Sequence, residues 1–93
     1  MPNRIDDKVC IVTGGGAGLG QATSLLFSEE GARVVIADVD AANGAAVARQ
    51  ITDAGGQAIA IETDVANNDH VVAMVDAAMD FGGKIDVLVN NAA

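Results

Sequence analysis

Aromatic side chains are scarce in this 93-residue sequence, which contains two Phe, no Trp and no Tyr. A mechanism that needs a tyrosine hydroxyl therefore cannot run on these residues alone. The single cysteine, Cys10, cannot form an internal disulfide, and no Cys and His cluster with the spacing of metal ligands occurs. We therefore expect no metal site, and we expect a reducing, cytoplasmic setting.

Basic residues are also few, because five Lys and Arg stand against 13 Asp and Glu, and the formal net charge is −8. Nucleic acids and anionic membrane surfaces are bound by Lys and Arg, so both are disfavoured as partners. Apolar residues make up 51% of the chain, yet apolar runs such as 34–37 are too short to cross a membrane. The N-terminal residues lack the apolar stretch of a secretory signal. The length suits one domain or less.

Short apolar segments alternate along the chain with segments of helical periodicity. The apolar segments predict four strands, and glycines end the three helices between them. The predicted strands are residues 8–13, 33–37, 57–61 and 86–89. The predicted helices are residues 21–30, 41–54 and a third one that begins after Asn67 or Asn68 and ends at Gly82 and Gly83.

Each predicted helix carries one stripe of mostly apolar residues at helical spacing. Asp40 is placed to cap the second helix, and Asn67 or Asn68 the third. The three stripes are Leu19, Ala22, Thr23 and Leu26; Ala41, Ala45, Ala48 and Ile51; and Val71, Val75, Ala78 and Met79.

The order β-α-β-α-β-α-β predicts the fold class. Strands joined by single helices must be parallel, through right-handed crossovers. Their almost continuous apolar runs are typical of strands that are buried on both faces. We therefore predict an α/β fold with a Rossmann-like, doubly wound parallel sheet and the strand order 3-2-1-4. In such sheets, ligands bind beyond the carboxyl ends of the strands.

A glycine-rich turn, residues 14–20, follows the first predicted strand. Glycine lets the backbone approach a phosphate closely, and a helix N-terminus supplies free N–H donors. No Lys or Arg falls in this turn, so backbone amides would hold any anion there. The G-x-G-x-x-G and P-loop patterns are not matched. The pattern that is matched is T-G-x-x-x-G-x-G, as Thr13, Gly14, Gly18 and Gly20. A tight turn without a ligand is the alternative.

Asp38 ends the second predicted strand, 20 residues after Gly18. A carboxylate at this place accepts hydrogen bonds from a ribose 2′-hydroxyl and repels a 2′-phosphate. Arg33 lies at the opposite end of the strand, where it cannot neutralise such a phosphate. The sequence therefore favours NAD over NADP as the cofactor. The alternative is that Asp38 only helps Asp40 to cap the second helix.

Together, four features resemble the short-chain dehydrogenase/reductase family, over the whole 93 residues. They are the glycine pattern, Asp38, the pair Asp64 and Val65 after the third strand, and the run of Asn90, Asn91 and Ala92 after the fourth. Each follows a predicted strand, in the family's order. The family usually has Gly where this sequence has Ala93, a mild departure.

The resemblance implies a role for each of these residues. Backbone amides of Gly14, Gly16, Ala17, Gly18, Leu19 and Gly20 would meet the pyrophosphate and the adenosine ribose. Asp38 would hold the ribose hydroxyls, and Asp64 the adenine amino group with Val65 against the ring. Asn90 and Ala92 would line the nicotinamide ribose. Asn91 would tie the fourth strand to its neighbours.

The family's reacting groups have no counterpart in this sequence. The family uses a Ser and a Tyr-x-x-x-Lys segment further along its chain, and this sequence has no Tyr. Lys8 and Lys84 flank strands, and Ser24 and Ser28 lie on the first helix, so none of them maps onto that set. Residues 1–93 are therefore predicted to be a partial NAD-binding domain without catalytic residues, from a parent that transfers hydride between NAD and an alcohol/carbonyl pair.

Two other functions stay open, a non-catalytic dinucleotide-binding module and a structural fragment that binds nothing. The fourth strand would form an open edge of the sheet, so we expect either self-association or a longer parent chain.

Among the remaining polar residues, His70 is expected to be solvated and Cys10 to be a core thiol. Asp86 is expected to be solvated or to support the adenine loop.

Overall fold

The computed structural model of the protein describes residues 6–91. They form a four-stranded parallel sheet with the order β3-β2-β1-β4, which confirms the predicted topology and fold class. No helix within this range is both long and apolar enough to cross a membrane. The elements are β1 (Val9–Thr13), α1 (Gly18–Glu29), β2 (Arg33–Asp38), α2 (Ala41–Asp53), β3 (Gln57–Glu62), α3 (Asn68–Gly82) and β4 (Val87–Asn90).

Strands β1 and β2 form the centre of the sheet and are almost completely buried. Side chains alternate between the two faces of a strand, so each face has its own core. Helices α1 and α2 cover the face that contains Cys10, Val34 and Ile36. Helix α3 covers the other face, where Met74 and Ala78 pack against Ile11, Val35 and Ala37. The prediction of a core thiol at Cys10 is thus confirmed.

The register brings the carboxyl ends of all four strands to one side of the sheet, which we call the carboxyl edge. Thr13 of β1 lies opposite Ala37 of β2 and Asn90 of β4. Asp38 of β2 lies opposite Glu62 of β3. The segments that follow the strands are therefore neighbours in space, although they are far apart in the sequence.

The apolar stripe predicted for α1 does not face the core, so the prediction of its buried face was wrong. Leu19 and Leu26 are 72% and 54% exposed, whereas Gly20 and Ser24 are the buried residues of this helix. The helix begins at Gly18 rather than at residue 21. Small residues let α1 approach the sheet and the glycine turn closely, and that approach decides which face is buried.

The predicted faces of α2 and α3 were right only in part. In α2, Ala41 and Ala45 are exposed, and the buried residues are Gly44, Val47 and Ile51. Burying Val47 and Ile51 removes more apolar surface from water than burying alanines does. In α3 the buried residues are Met74 and Ala78, with Val71 half-buried, while Val75 and Met79 are 38% and 44% exposed.

The predicted caps of α2 and α3 and the predicted end of α3 are confirmed. The side chain of Asp40 caps α2 and that of Asn67 caps α3, each by accepting backbone N–H groups of the first turn. Helix α3 ends at Gly83, which has a left-handed φ of 78° and donates its N–H to the carbonyl of Met79. Glycine adopts that conformation readily because it has no Cβ atom.

Candidate functional site

The turn between β1 and α1 opens the candidate site at the carboxyl edge. Gly14 has a φ of 67° and donates its N–H to the carbonyl of Ala37 at 2.7 Å, which fixes the start of the turn to β2. Gly18, where α1 begins, has a φ of 55°, and a Cβ atom added there would meet open space. The backbone is therefore exposed to an incoming ligand at this point.

Two other glycines of the turn are needed for close packing. A Cβ atom on Gly16 would lie 2.7 Å from the backbone of Asn43 and Gly44 and 2.8 Å from Oδ2 of Asp38. A Cβ atom on Gly20 would overlap the carbonyl of Gly14. Gly16 thus lets the turn rest against the start of α2, and Gly20 lets α1 rest against the turn.

The N-terminus of α1 differs from those of the other two helices, because no side chain caps it. Its N-cap residue, Ala17, is extended and has no side-chain hydrogen bond, and the first turn holds no acidic residue. The first N–H groups of a helix have no partner within the helix and carry a partial positive charge. Because Ala17, Gly18 and Leu19 are exposed, an anion can reach this terminus from solvent.

Asp38 lies beside this turn at the end of β2, and only 8% of its surface is exposed. Its Oδ2 accepts the N–H of Gly16 at 2.9 Å, and its Oδ1 accepts the N–H of Asp40 at 2.8 Å. A carboxylate oxygen can accept two hydrogen bonds, so each oxygen keeps capacity for a further donor. Two backbone N–H groups therefore orient the carboxylate and leave acceptor sites on both of its oxygens free for a ligand.

No cation neutralises Asp38 within residues 6–91, where ion pairs join only Arg33 to Asp7 and Lys84 to Asp86. Arg33 begins β2 and therefore lies at the other end of the strand from Asp38, as predicted. The Asp38 carboxyl group thus lies at the site without a basic partner among the described residues.

The turn after β3 reaches the same edge. Thr63 is buried and donates its backbone N–H to the carbonyl of Asp38 at 2.8 Å. Asp64 and Val65 follow it and are exposed, Val65 by 42%. The carboxylate of Asp64 accepts the N–H of Ala66 at 3.0 Å. His70, which was expected to be solvated, is half-buried, and its Nδ1 accepts the backbone N–H of Asp64 at 3.0 Å.

The end of β4 is held to β1 through Thr13. The hydroxyl of Thr13 lies 3.2 Å from the carbonyl of Val89 and 3.3 Å from Oδ1 of Asn90, and it accepts the N–H of Asn91 at 2.9 Å. The side chain of Asn91 lies next to Gly20. These contacts place Asn90 and Asn91 beside the glycine turn. The predicted site residue Ala92 lies outside the described residues.

Sequence reasoning missed two residues at this edge. Ser24, fully buried, donates to the carbonyl of Gly20 at 2.8 Å and lies 3.4 Å from that of Gly15, so it links α1 to the turn. Its position four residues after Gly20 is the spacing at which a helical serine bonds back to a carbonyl. Val39 is 69% exposed directly after Asp38. The sequence signal that could have identified Val39 is its position in the turn that follows the second predicted strand.

Asp86 does not belong to the site: it is exposed, as expected for a solvated charge, and it does not support the adenine loop. It precedes β4, at the opposite end of that strand from Asn90. Its Oδ2 accepts the N–H of Val9 at 2.9 Å and pairs with Lys84 at 3.2 Å. The bond from Val9 lowers the pKa of the Asp86 carboxyl, with a further contribution from Lys84, against the opposing effect of burial.

The site thus gathers uncapped helix amides, an oriented carboxylate and exposed apolar side chains. Leu19, Val39 and Val65 are all exposed beside polar groups that point to the same edge. Amides suit an anion, the carboxylate suits hydroxyl groups, and the apolar side chains suit a flat ring. Within residues 6–91, no three His, Cys, Asp or Glu side chains are grouped as metal ligands would be.

Comparison with known proteins identifies one family. The family model described as short chain dehydrogenase matches residues 8–93. The sex determination protein tasselseed-2 of Zea mays is 48% identical over 93 residues, which are 99% of this chain and 27% of that protein. The 7alpha-hydroxysteroid dehydrogenase of Escherichia coli is 40% identical over 89 residues, which are 96% of this chain and 35% of that enzyme. The chain thus spans between about a quarter and about a third of the length of these curated relatives.

Solved structures agree with this match. A 7 alpha-hydroxysteroid dehydrogenase complexed with NADH and 7-oxo glycochenodeoxycholic acid superposes with a TM-score of 0.92 at 38% identity, covering 96% of this chain and 35% of that one. A short chain dehydrogenase/reductase from Burkholderia phymatum in complex with NAD gives a TM-score of 0.88 at 37% identity, covering 90% of this chain and 30% of that one.

Proposed function

This chain belongs to the short chain dehydrogenase family, and we propose that its protein transfers a hydride between NAD and an alcohol/carbonyl pair. The proposal is supported by the family match over residues 8–93 and by relatives that are dehydrogenases. Because those relatives are catalytic, the alternatives of a non-catalytic module and of a structural fragment are disfavoured. The 93 residues would supply the binding part for the cofactor.

The pyrophosphate would lie at the N-terminus of α1. The amides around Gly14, Gly16, Ala17, Gly18, Leu19 and Gly20 would donate to its oxygens. The observation that carries this proposal is the uncapped start of α1, beside a left-handed Gly18 that faces open space. Helix amides hold a diphosphate without any basic side chain.

The adenosine would extend from this terminus across β2 and β3. Asp38 would accept the ribose hydroxyls with the free lone pairs of its two oriented oxygens. The exposed carboxylate of Asp64 would accept the adenine amino group, with Val65 against the ring. The nicotinamide ribose would lie at Asn90 and Ala92. We assign no residue of this chain to catalysis.

NAD is favoured over NADP because of the charge at Asp38. A 2′-phosphate would meet a carboxylate that two backbone donors hold in place and that no cation in the described range pairs with. Like charges at this distance repel, and a fixed carboxylate cannot turn away.

When bound, NAD would supply the hydride chemistry, and these 93 residues would only bind and orient it. The proton of the alcohol would be handled by groups outside the 93 residues, since the sequence holds no Tyr. The fourth strand, with Leu88 57% exposed, would be covered by more of the same chain or by a second copy. We place the protein in the cytoplasm, where a lone buried thiol such as Cys10 stays reduced.

Calorimetric titration of the protein, expressed from its complete gene, with NADH and NADPH tests this proposal. We expect NADH to bind more tightly than NADPH, and we expect oxidation of an alcohol to be coupled to NADH formation at 340 nm. Tighter binding of NADPH would contradict the role of Asp38. Binding of NADH without turnover of any alcohol in a broad panel would favour the non-catalytic alternative.

A further inference from the structure

His70 makes a contact that the proposed function has not used. It lies in the first turn of α3, half-buried, and its Nδ1 accepts the backbone N–H of Asp64 at 3.0 Å. A backbone N–H can only donate, so Nδ1 must carry a lone pair. The proton of the neutral ring is therefore on Nε2. The imidazole acts here as a hydrogen-bond acceptor at one defined atom.

Apart from this bond, the hydrogen bonds of residues 64–67 within the described range join them to one another and, through Asn67, to the first turn of α3. The carbonyl of Asp64 accepts the N–H of Asn67 at 2.9 Å, and its carboxylate accepts the N–H of Ala66 at 3.0 Å. These two bonds shape the turn from within, and residues 64–67 are all exposed. The bond from His70 ties the turn to the body of α3, whose residues Met74 and Ala78 are buried against the sheet.

A short path of hydrogen bonds links this turn to the glycine turn. Thr63, which precedes Asp64, donates its N–H to the carbonyl of Asp38, and the carboxylate of Asp38 accepts the N–H of Gly16. The turn of Asp64 and Val65 is therefore anchored on both of its sides. Thr63 holds the turn on the β2 side, and His70 holds it on the α3 side.

We propose that His70 is a positioning residue for cofactor binding, which fixes the turn of Asp64 and Val65 in the place where the adenine is received. This inference rests on the proposed function, because it assigns the adenine to that turn. His70 touches neither cofactor nor substrate. It acts by holding the amide of Asp64 and thereby lowers the cost of ordering an exposed turn when the adenine binds.

Three substitutions of His70 distinguish the effect of its acceptor atom from the effect of the rest of the side chain. In His70→Asn, the amide Oδ1 lies the same number of bonds from the backbone as Nδ1 of histidine, so an acceptor is kept. In His70→Gln, the acceptor is one bond further out and no longer matches Nδ1. In His70→Ala, the acceptor is lost. A merely structural need for bulk or helix propensity would favour Gln over Asn, which is the reverse order.

The experiment measures the dissociation constant of NADH and of reduced nicotinamide mononucleotide, which lacks the adenosine, for the protein from its complete gene. We expect His70→Ala and His70→Gln to weaken NADH binding about fivefold, as the loss of one hydrogen bond does. We expect His70→Asn to stay within about twofold of the wild type, and all three variants to bind the mononucleotide as the wild type does. Hydrogen exchange at the Asp64 amide should be faster in the Ala and Gln variants and restored in Asn.

The outcomes separate this inference from the proposed function. A wild-type protein that does not bind NADH would overturn both. Wild-type binding with an unchanged constant in His70→Ala would overturn the role of His70 and leave the proposed function standing. An equal loss of affinity for NADH and for the mononucleotide would also overturn the role of His70. So would a His70→Asn variant that binds NADH as weakly as His70→Ala does. Unchanged exchange at Asp64 in His70→Ala would overturn it without any reference to the cofactor.

Discussion

Oδ2 of Asp38 accepts the backbone N–H of Gly16 at 2.9 Å, across 22 residues of sequence. The acid at the end of β2 is thus joined to the glycine turn that follows β1. In the proposed complex these two elements would hold adjacent parts of one molecule, the ribose and the pyrophosphate. A change at either residue is therefore expected to affect both the stability of the fold and the binding of the cofactor.

Replacing Asp38 with Ala should narrow the preference for NADH over NADPH. The substitution removes charge-assisted hydrogen bonds of about 1.5–3 kcal/mol to the ribose, which corresponds to NADH binding weakened by about 10- to 150-fold. The affinity for NADPH should fall less than the affinity for NADH, because the substitution also removes the repulsion between the carboxylate and the 2′-phosphate. Titration with both cofactors measures the ratio.

The matched control for this change is Asp40→Ala, a nearby carboxylate that caps α2. It should lower the free energy of unfolding by about 1 kcal/mol and leave the cofactor ratio as it is. An unchanged ratio in Asp38→Ala itself would remove Asp38 from its proposed role.

Replacing Gly16 with Ala should destabilise the fold by about 1–3 kcal/mol, as overpacking does. The added Cβ would lie 2.7 Å from the backbone of Asn43 and Gly44, which cannot rotate away as a side chain can. Gly44→Ala is the control, because a Cβ there would lie 3.6 Å from its neighbours, an ordinary contact distance. Inside a helix that change should stabilise by up to about 1 kcal/mol. Urea unfolding of both variants measures the two effects, and equal free energies of unfolding would contradict the packing argument.

Asp86 should make stability depend on pH in the acid range. Its pKa in the folded protein is lowered from 3.8, chiefly by the N–H of Val9. Above pH 3.8 the carboxylate is ionised in both states and its stabilising contribution is complete. As the pH falls below that value the unfolded chain takes up the proton first, so this contribution declines until the folded pKa is passed.

Urea midpoints measured between pH 2 and pH 6 test this dependence. Asp86→Asn should flatten the acid part of the profile relative to the wild type, because its amide does not titrate. Asp76→Asn, which removes one negative charge from an exposed position of α3, is the control for the change in net charge alone. Superimposable profiles for wild type and Asp86→Asn would argue against the assigned bond.

Cys10 should report global unfolding. The thiol is buried in β1, and its pKa is raised by burial and by the nearby charge of Asp86, so little thiolate forms near neutral pH. Because the thiolate is the reactive form, labelling by an aromatic disulfide reagent should be slow in the native protein and fast in urea. Fast native labelling would show that β1 opens locally.

The sequence patterns predicted the elements well because each depends on near neighbours. Strand and helix order, the caps at Asp40 and Asn67 and the stop at Gly83 were predictable from local propensity. The strand order was predictable too, since right-handed crossovers leave few arrangements. The apolar stripe of Leu19 and Leu26 predicted the wrong buried face for α1. Its spacing is ideal for a helix, but the helix buries Gly20 and Ser24 instead.

By itself, the sequence determined the type and order of the elements, the glycine turn and the acid that follows β2, since spacing along the chain is enough to define them. The tertiary structure alone decided which groups meet. Asp38 meets Gly16, Asp86 meets Val9 across 77 residues, and His70 meets Asp64. Such bonds depend on strand register, on helix rotation and on where each side chain points. Those are fixed by packing the whole chain at once, and no local pattern encodes them.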